Sequence, residues 1–126
     1  MVKSESTRQF YQTIITAKEG TVTADVAKAM GGSGEYMGPH DLVCAGYAAC
    51  LNMTTRSILE KMGLPFEKVI VHIDMDKKEE GKTKFLYKVE IVGDLDEKTK
   101  KEVIAKAELC PVRKTLSQEI SFETME

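Results

Sequence analysis

Two of the three cysteines in this chain sit where sulfur could do chemistry. Cys50 lies in "GYAACLNMT", residues 46–54, an almost wholly apolar run. Cys110 lies in "ELCPVRKTL", sixty residues further on and directly before a proline. A thiolate is a strong nucleophile and a metal ligand, and two thiols that meet can close a disulfide. Pro111 supplies a physical reason to suspect Cys110. Proline cannot continue the helix before it but suits the first position of a new one, so "PVRKTL" can open a short helix with Cys110 at its cap. The amides there favour negative charge and would make that thiol more acidic, and Arg113 and Lys114 add positive charge nearby. Cys44 falls on the same predicted helix as Cys50, but about 120° round the axis, and reads as a packing residue.

Other chemistries fit the residues less well. There is no C-x-x-C pair and only two histidines, His40 and His72, so no metal site is expected. A Cys/His hydrolase would need His40 beside Cys50, but ten helical residues separate them by about 15 Å. The glycine-rich stretch "MGGSGEYMGP" lacks the Gly-Lys-Ser/Thr ending of a phosphate-binding loop.

The whole chain has 126 residues, 42% hydrophobic and 30% charged, with a net charge of −2. That predicts one soluble domain over residues 1–126, with no strong pull toward nucleic acid or acidic lipid. The start "MVKSESTRQF" has no apolar segment of the signal-peptide kind, and no apolar run is long enough to span a bilayer. The expected location is therefore the cytoplasm, where thiols stay reduced.

The elements that must position the sulfurs are readable from periodicity. Residues 9–17 and 21–27, rich in β-branched side chains, predict a β-hairpin. The glycine-rich stretch is a loop, followed by a long helix over about 40–62 that stops at Gly63 with Pro65 close behind. Val69, Val71, Ile73 and Met75 alternate on one face, as do Phe85, Tyr87, Val89 and Ile91. These are two strands joined by the polar "KKEEGK", with His72, Asp74, Lys88 and Glu90 turned to water. A second helix over about 96–109 puts Val103, Ala107 and Cys110 on its core side. "SQEISFE" alternates as a closing strand. The order β-β-α-β-β-α-β describes an α+β fold with antiparallel hairpins.

The first half of the long helix, Leu42 to Leu51, is apolar on all sides, so protein should enclose it all round. Gly46 in mid-helix costs about 1 kcal/mol against alanine, which is easiest to understand if another backbone packs there. Both features point to a homodimer wrapped about this helix; the alternative is that the chain's own two sheets cover it.

"GPHDLVCAGYAACLNMTTRSILEKMGLPFEKVIV" together with "LCPVRKTL" resembles the OsmC/Ohr family of osmotically inducible and organic hydroperoxide resistance proteins. The distinctive parts are Pro39 to Leu42, the "AAC" ending at Cys50, and Cys-Pro-Val at Cys110. The resemblance implies antiparallel sheets around a long central helix, and an intertwined homodimer with active sites at its interface. It also implies a two-cysteine peroxidase: Cys50 attacks an organic hydroperoxide, Cys110 resolves the product to a disulfide, and an external dithiol of the lipoyl type restores both. No bound cofactor or metal is implied. In the family an arginine, held by a glutamate just after the helix proline, supports the attacking sulfur. Here His40 and Asp41 follow Pro39, and the arginines are Arg8, Arg56 and Arg113. Arg8 and Arg113 are the candidate cations, and His40 or Asp41 could take the glutamate's part with a cation from a partner chain. The other reading is a non-catalytic member of the same fold that binds a small apolar ligand or senses redox state through its cysteines.

Overall fold

A computed structural model describes residues 1–126. Its contacts group the chain into two compact units, 1–43 and 44–126. The fold is mixed α+β, with a three-stranded and a two-stranded antiparallel sheet and three α-helices.

In the N-terminal unit, β1 (Lys3–Ser6), β2 (Thr13–Ala17) and β3 (Gly20–Ala24) form an antiparallel meander. The expected hairpin is present as β2–β3, closed through the Ala17–Gly20 pair, but with shorter strands than 9–17 and 21–27. Residues 9–12 turn instead of extending. Gln12 N–H donates to the Gln9 carbonyl, Thr7 N–H donates to the Gln12 carbonyl, and Phe10 takes a positive φ of 52°. β1 has no apolar alternation to announce it. All four of its residues are exposed, and it is a strand because β2 pairs with it, Lys3 against Thr16 through Ser6 against Thr13.

The glycine-rich loop is organised by Asp25, which is only 2% exposed. Its carboxylate accepts from the Val26 amide at 2.7 Å and from the Ser33 hydroxyl and amide at 2.7 and 3.0 Å. Burial opposes ionisation, but these hydrogen bonds outweigh it and hold the carboxyl below the usual carboxylate range. Gly32 is required by space: a Cβ there would lie 2.0 Å from the Val26 carbonyl oxygen.

Helix α1 (Pro39–Lys61) starts with proline in its first turn. The Asp41 carboxylate accepts from the Gly38 amide at 3.0 Å, and Leu42 N–H donates to the Gly38 carbonyl at 3.2 Å. At its far end Leu64 N–H donates to the Leu59 carbonyl and Gly63 takes φ 66°, the left-handed stop that its glycine and the following Pro65 announced.

In the C-terminal unit, β4 (Lys68–Asp76) and β5 (Lys84–Val92) form the expected hairpin, with their alternating apolar faces paired. Val69 faces Ile91, Val71 faces Val89, Ile73 faces Tyr87 and Met75 faces Phe85. The inner face packs on α1 and on α2 (Glu97–Ala107). One cluster forms around Leu59, Ile91 and Val103, and another around Tyr47, Leu51, Ala107 and Cys110. Asp96 caps α2 by accepting from the Thr99 amide at 2.7 Å. Asn52 donates to the Val69 carbonyl at 2.9 Å and fixes α1 against the start of β4. The short helix α3 (Pro111–Leu116) follows.

The closing strand expected in "SQEISFE" is not formed. Residues 117–126 pair with neither sheet, and Ile120 and Phe122 are 57% and 94% exposed. Alternation makes a strand possible, but only a neighbour that takes up its hydrogen bonds makes it real.

Leu59 is fully buried between α2 and the sheet. Leu59→Ala should cost about 2–5 kcal/mol of unfolding free energy, read as a shift of the denaturant midpoint with an unchanged slope. A loss under about 1 kcal/mol would show that the cavity collapses and that this cluster is not closely packed.

Candidate active site

The site is built where α3 begins. Pro111 cannot extend α2, and it pushes the residue before it into an extended backbone. Cys110 accordingly has φ −64° and ψ 155°. It makes no side-chain capping bond. Its sulfur turns into the core instead and is fully buried against Tyr47, Leu51 and Ala107. Burial pushes the Cys110 thiol up; the adjacent Cys50 sulfur pushes the same way, and the Arg113 and Val112 amides pull back.

One of these amides also reaches the other sulfur. Val112 N–H, in the first turn of α3, donates to Cys50 Sγ at 3.4 Å. This corrects the sequence-based expectation that the helix end makes Cys110 an acidic thiol: the Arg113 and Val112 amides do act on it, but burial outweighs them, and Val112 N–H serves Cys50 as well. The cap position is as expected, but the turn that carries Cys110 inward presents its next amide to α1. Cys50 is half-buried on α1 and packs against the cluster that holds Cys110. An open groove of about 570 Å³ runs beside it, with Gly46, Ala49, Met53, Ile58 and Pro111 among its walls.

Of the expected site residues, Cys50 and Cys110 are brought together, and the supporting groups are not gathered around them within the C-terminal unit. Arg113 lies on α3, but its guanidinium stacks over the Tyr87 ring at 5.4 Å and donates to the Glu108 carbonyl at 3.2 Å. Arg56 turns outward to Glu60 at 2.8 Å. Arg8 belongs to the N-terminal unit, in the connection between β1 and β2. His40 and Asp41 stand exposed in the first turn of α1, where the Asp41 carboxylate caps its own helix. The Val112 amide was missed because a backbone donor carries no residue-type signal. Only Pro111 hinted that amides would be unpaired there. No group of three or more histidine, cysteine or carboxylate side chains is placed to hold a metal ion.

A family model described as OsmC-like protein matches residues 32–125. The chain belongs to the OsmC-like protein family. Solved structures of OsmC-like type share its fold. An OsmC-like protein of Mycoplasma pneumoniae superposes with a TM-score of 0.76 at 18% identity, covering 92% of this chain and 85% of that one. The organic hydroperoxide resistance protein OsmC of Legionella pneumophila gives 0.66 at 22%, covering 93% and 88%. The organic hydroperoxide resistance protein OhrB of Bacillus subtilis gives 0.63 at 23%, covering 93% and 89%. At these identities the likeness is one of fold. No curated protein matches the sequence. No helix of this OsmC-like chain is long and apolar enough to cross a membrane.

The two cysteines of the OsmC-like site should differ in reactivity. At neutral pH iodoacetamide should modify Cys50 well before Cys110, as read by mass spectrometry of the cysteine peptides. Burial favours the neutral Cys110 thiol, so its labelling should rise only as pH passes above the ordinary thiol range, about 8.5. Equal labelling of both at pH 7 would contradict the buried setting of Cys110.

Proposed function

We propose that this OsmC-like protein is a thiol-dependent peroxidase that reduces organic hydroperoxides. The observation that carries the reading is the contact between the Val112 amide and Cys50 Sγ, made with Cys110 packed into the same cluster. The N–H fixes this sulfur at the groove and beside the second thiol, the placement that a nucleophile and its resolving partner need. The names of the Legionella and Bacillus proteins, which speak of organic hydroperoxide resistance, agree with the reading.

In the first step Cys50 thiolate attacks the outer oxygen of R–O–OH. The O–O bond breaks, sulfur gains oxygen and is oxidised to the sulfenic acid, and the alkoxide takes a proton and leaves as R–OH. In the second step Cys110 sulfur, losing its proton, attacks Cys50 sulfur; the S–S bond forms and the oxygen departs as water. An external dithiol of the lipoyl type then exchanges with the disulfide, returning two thiols and leaving as its own disulfide. The apolar groove beside Cys50 suits a bulky alkyl peroxide better than hydrogen peroxide.

The same groove supports a homodimer. Met53 is 69% exposed, and apart from its neighbours and its own helix backbone nothing lies within 4 Å of a Cβ placed at Gly46. A second copy over this face would cover the apolar side of α1, put the sites at the interface, and offer Arg8 or another partner cation to the sulfur. One observation favours the non-catalytic alternative: Arg56 and Arg113 are both engaged away from Cys50.

One equivalent of cumene hydroperoxide should remove two titratable thiols per chain. Cys50→Ser should reduce peroxide consumption to background, because a serine hydroxyl is a far poorer nucleophile at neutral pH. Cys110→Ser should react once and stop as a sulfenic acid that dimedone traps. Thiols left intact by the peroxide would favour the binding or sensing alternative, and single turnover surviving in Cys50→Ser would reverse the two roles.

Light scattering at micromolar concentration should give twice the chain mass of 14.0 kDa. A monomer under those conditions would remove the interfacial site.

A further inference from the structure

A second cavity, of about 550 Å³, lies in the C-terminal unit on the side of α3 that carries Arg113 and Leu116. It falls within the range of about 300–1,000 Å³ typical of small-molecule sites. Its charged lining is one-sided: Arg113 and Lys84 contribute to it and no carboxylate does, in a chain whose net charge is −2. Arg113 is half-buried, yet no acidic side chain lies within ion-pair distance of either cation. Tyr87 and Tyr47, both neutral, outweigh the desolvation of this guanidinium, so its charge is stabilised but has no opposite charge beside it.

The arginine is also held in place. It stacks on the Tyr87 ring at 5.4 Å, Tyr47 and Tyr87 supply polar neighbours, and one nitrogen is fixed on the Glu108 carbonyl at 3.2 Å. The guanidinium is thus fixed at the cavity wall by neutral partners and keeps its full positive charge there. The rest of the wall is apolar, from Phe85, Leu116 and Ile120.

We propose that this cavity binds an amphipathic organic carboxylate, with its headgroup on Arg113 and Lys84 and its hydrocarbon body along Phe85, Leu116 and Ile120. The site is separate from the thiols: neither cysteine lines it, and it needs no redox step.

Decanoate is the probe, with decanol (the same tail uncharged) and acetate (the same charge without the tail) as controls, measured by calorimetry on the full chain. Decanoate should bind saturably, one per chain, and each control at least about tenfold more weakly. Arg113→Gln should weaken decanoate by about tenfold or more and leave decanol unchanged. Arg113 also steadies α3, so Lys84→Glu, at an exposed position, is the independent variant and should weaken decanoate while preserving the fold by circular dichroism. The same Kd for decanoate in wild type and Lys84→Glu, or decanol binding as tightly as decanoate, would overturn the proposal. Cys50→Ser should bind decanoate like wild type, so failure of the peroxidase reading and failure of this site are told apart.

Discussion

The candidate chemistry depends on how a six-residue helix is docked. α3 is too short to stand alone, since isolated helices below about 12–15 residues are marginal in water. It is held by what it touches. Val112 and Leu116 pack into the core beside Tyr47 and Leu51, and Arg113 lies across Tyr87. That anchorage sets the Val112 amide 3.4 Å from Cys50 and carries Cys110 into the interior. Pro111 makes both possible by ending α2, starting α3 and forcing the extended backbone at Cys110 between them.

The two sulfurs consequently occupy different surroundings. Cys50 borders an open groove and has a donor on its sulfur; Cys110 is dry and held toward the neutral thiol. In the proposed cycle this divides the work. The sulfur that meets peroxide is the one with access, and the sulfur that resolves is shielded from solvent oxidants until its neighbour has been oxidised. Arg113 couples α3 to β5, so the second cavity and the thiol pair share one anchoring residue without sharing a ligand.

The helix and hairpin skeleton of the C-terminal unit was legible because its signals are local. Gly63 and Pro65 marked the end of α1, Asp96 the start of α2, and the alternation of Val69 to Met75 and of Phe85 to Ile91 marked two strands and their shared face. β1 and the closing strand were not legible, for opposite reasons. Lys3–Ser6 lacks apolar alternation yet pairs with β2, while "SQEISFE" alternates yet finds no neighbour within the chain. β2 starts late because the chain turns at Phe10, and no residue type around it forbids extension; β3 stops at Ala24, where the loop organised by Asp25 begins.

By itself the sequence determined that two cysteines of different character exist, that Pro111 starts a helix at one of them, and, through resemblance, which fold carries them. Only the tertiary structure decided that a helix-end amide reaches Cys50 as well as Cys110, that burial holds Cys110 toward the neutral thiol, and that Arg113 serves the tyrosines instead of Cys50. The physical reason is range. Caps, stops and periodicity are set by residues within a few positions of one another, whereas the Val112–Cys50 contact spans 62 residues and exists only after α1 and α3 have packed.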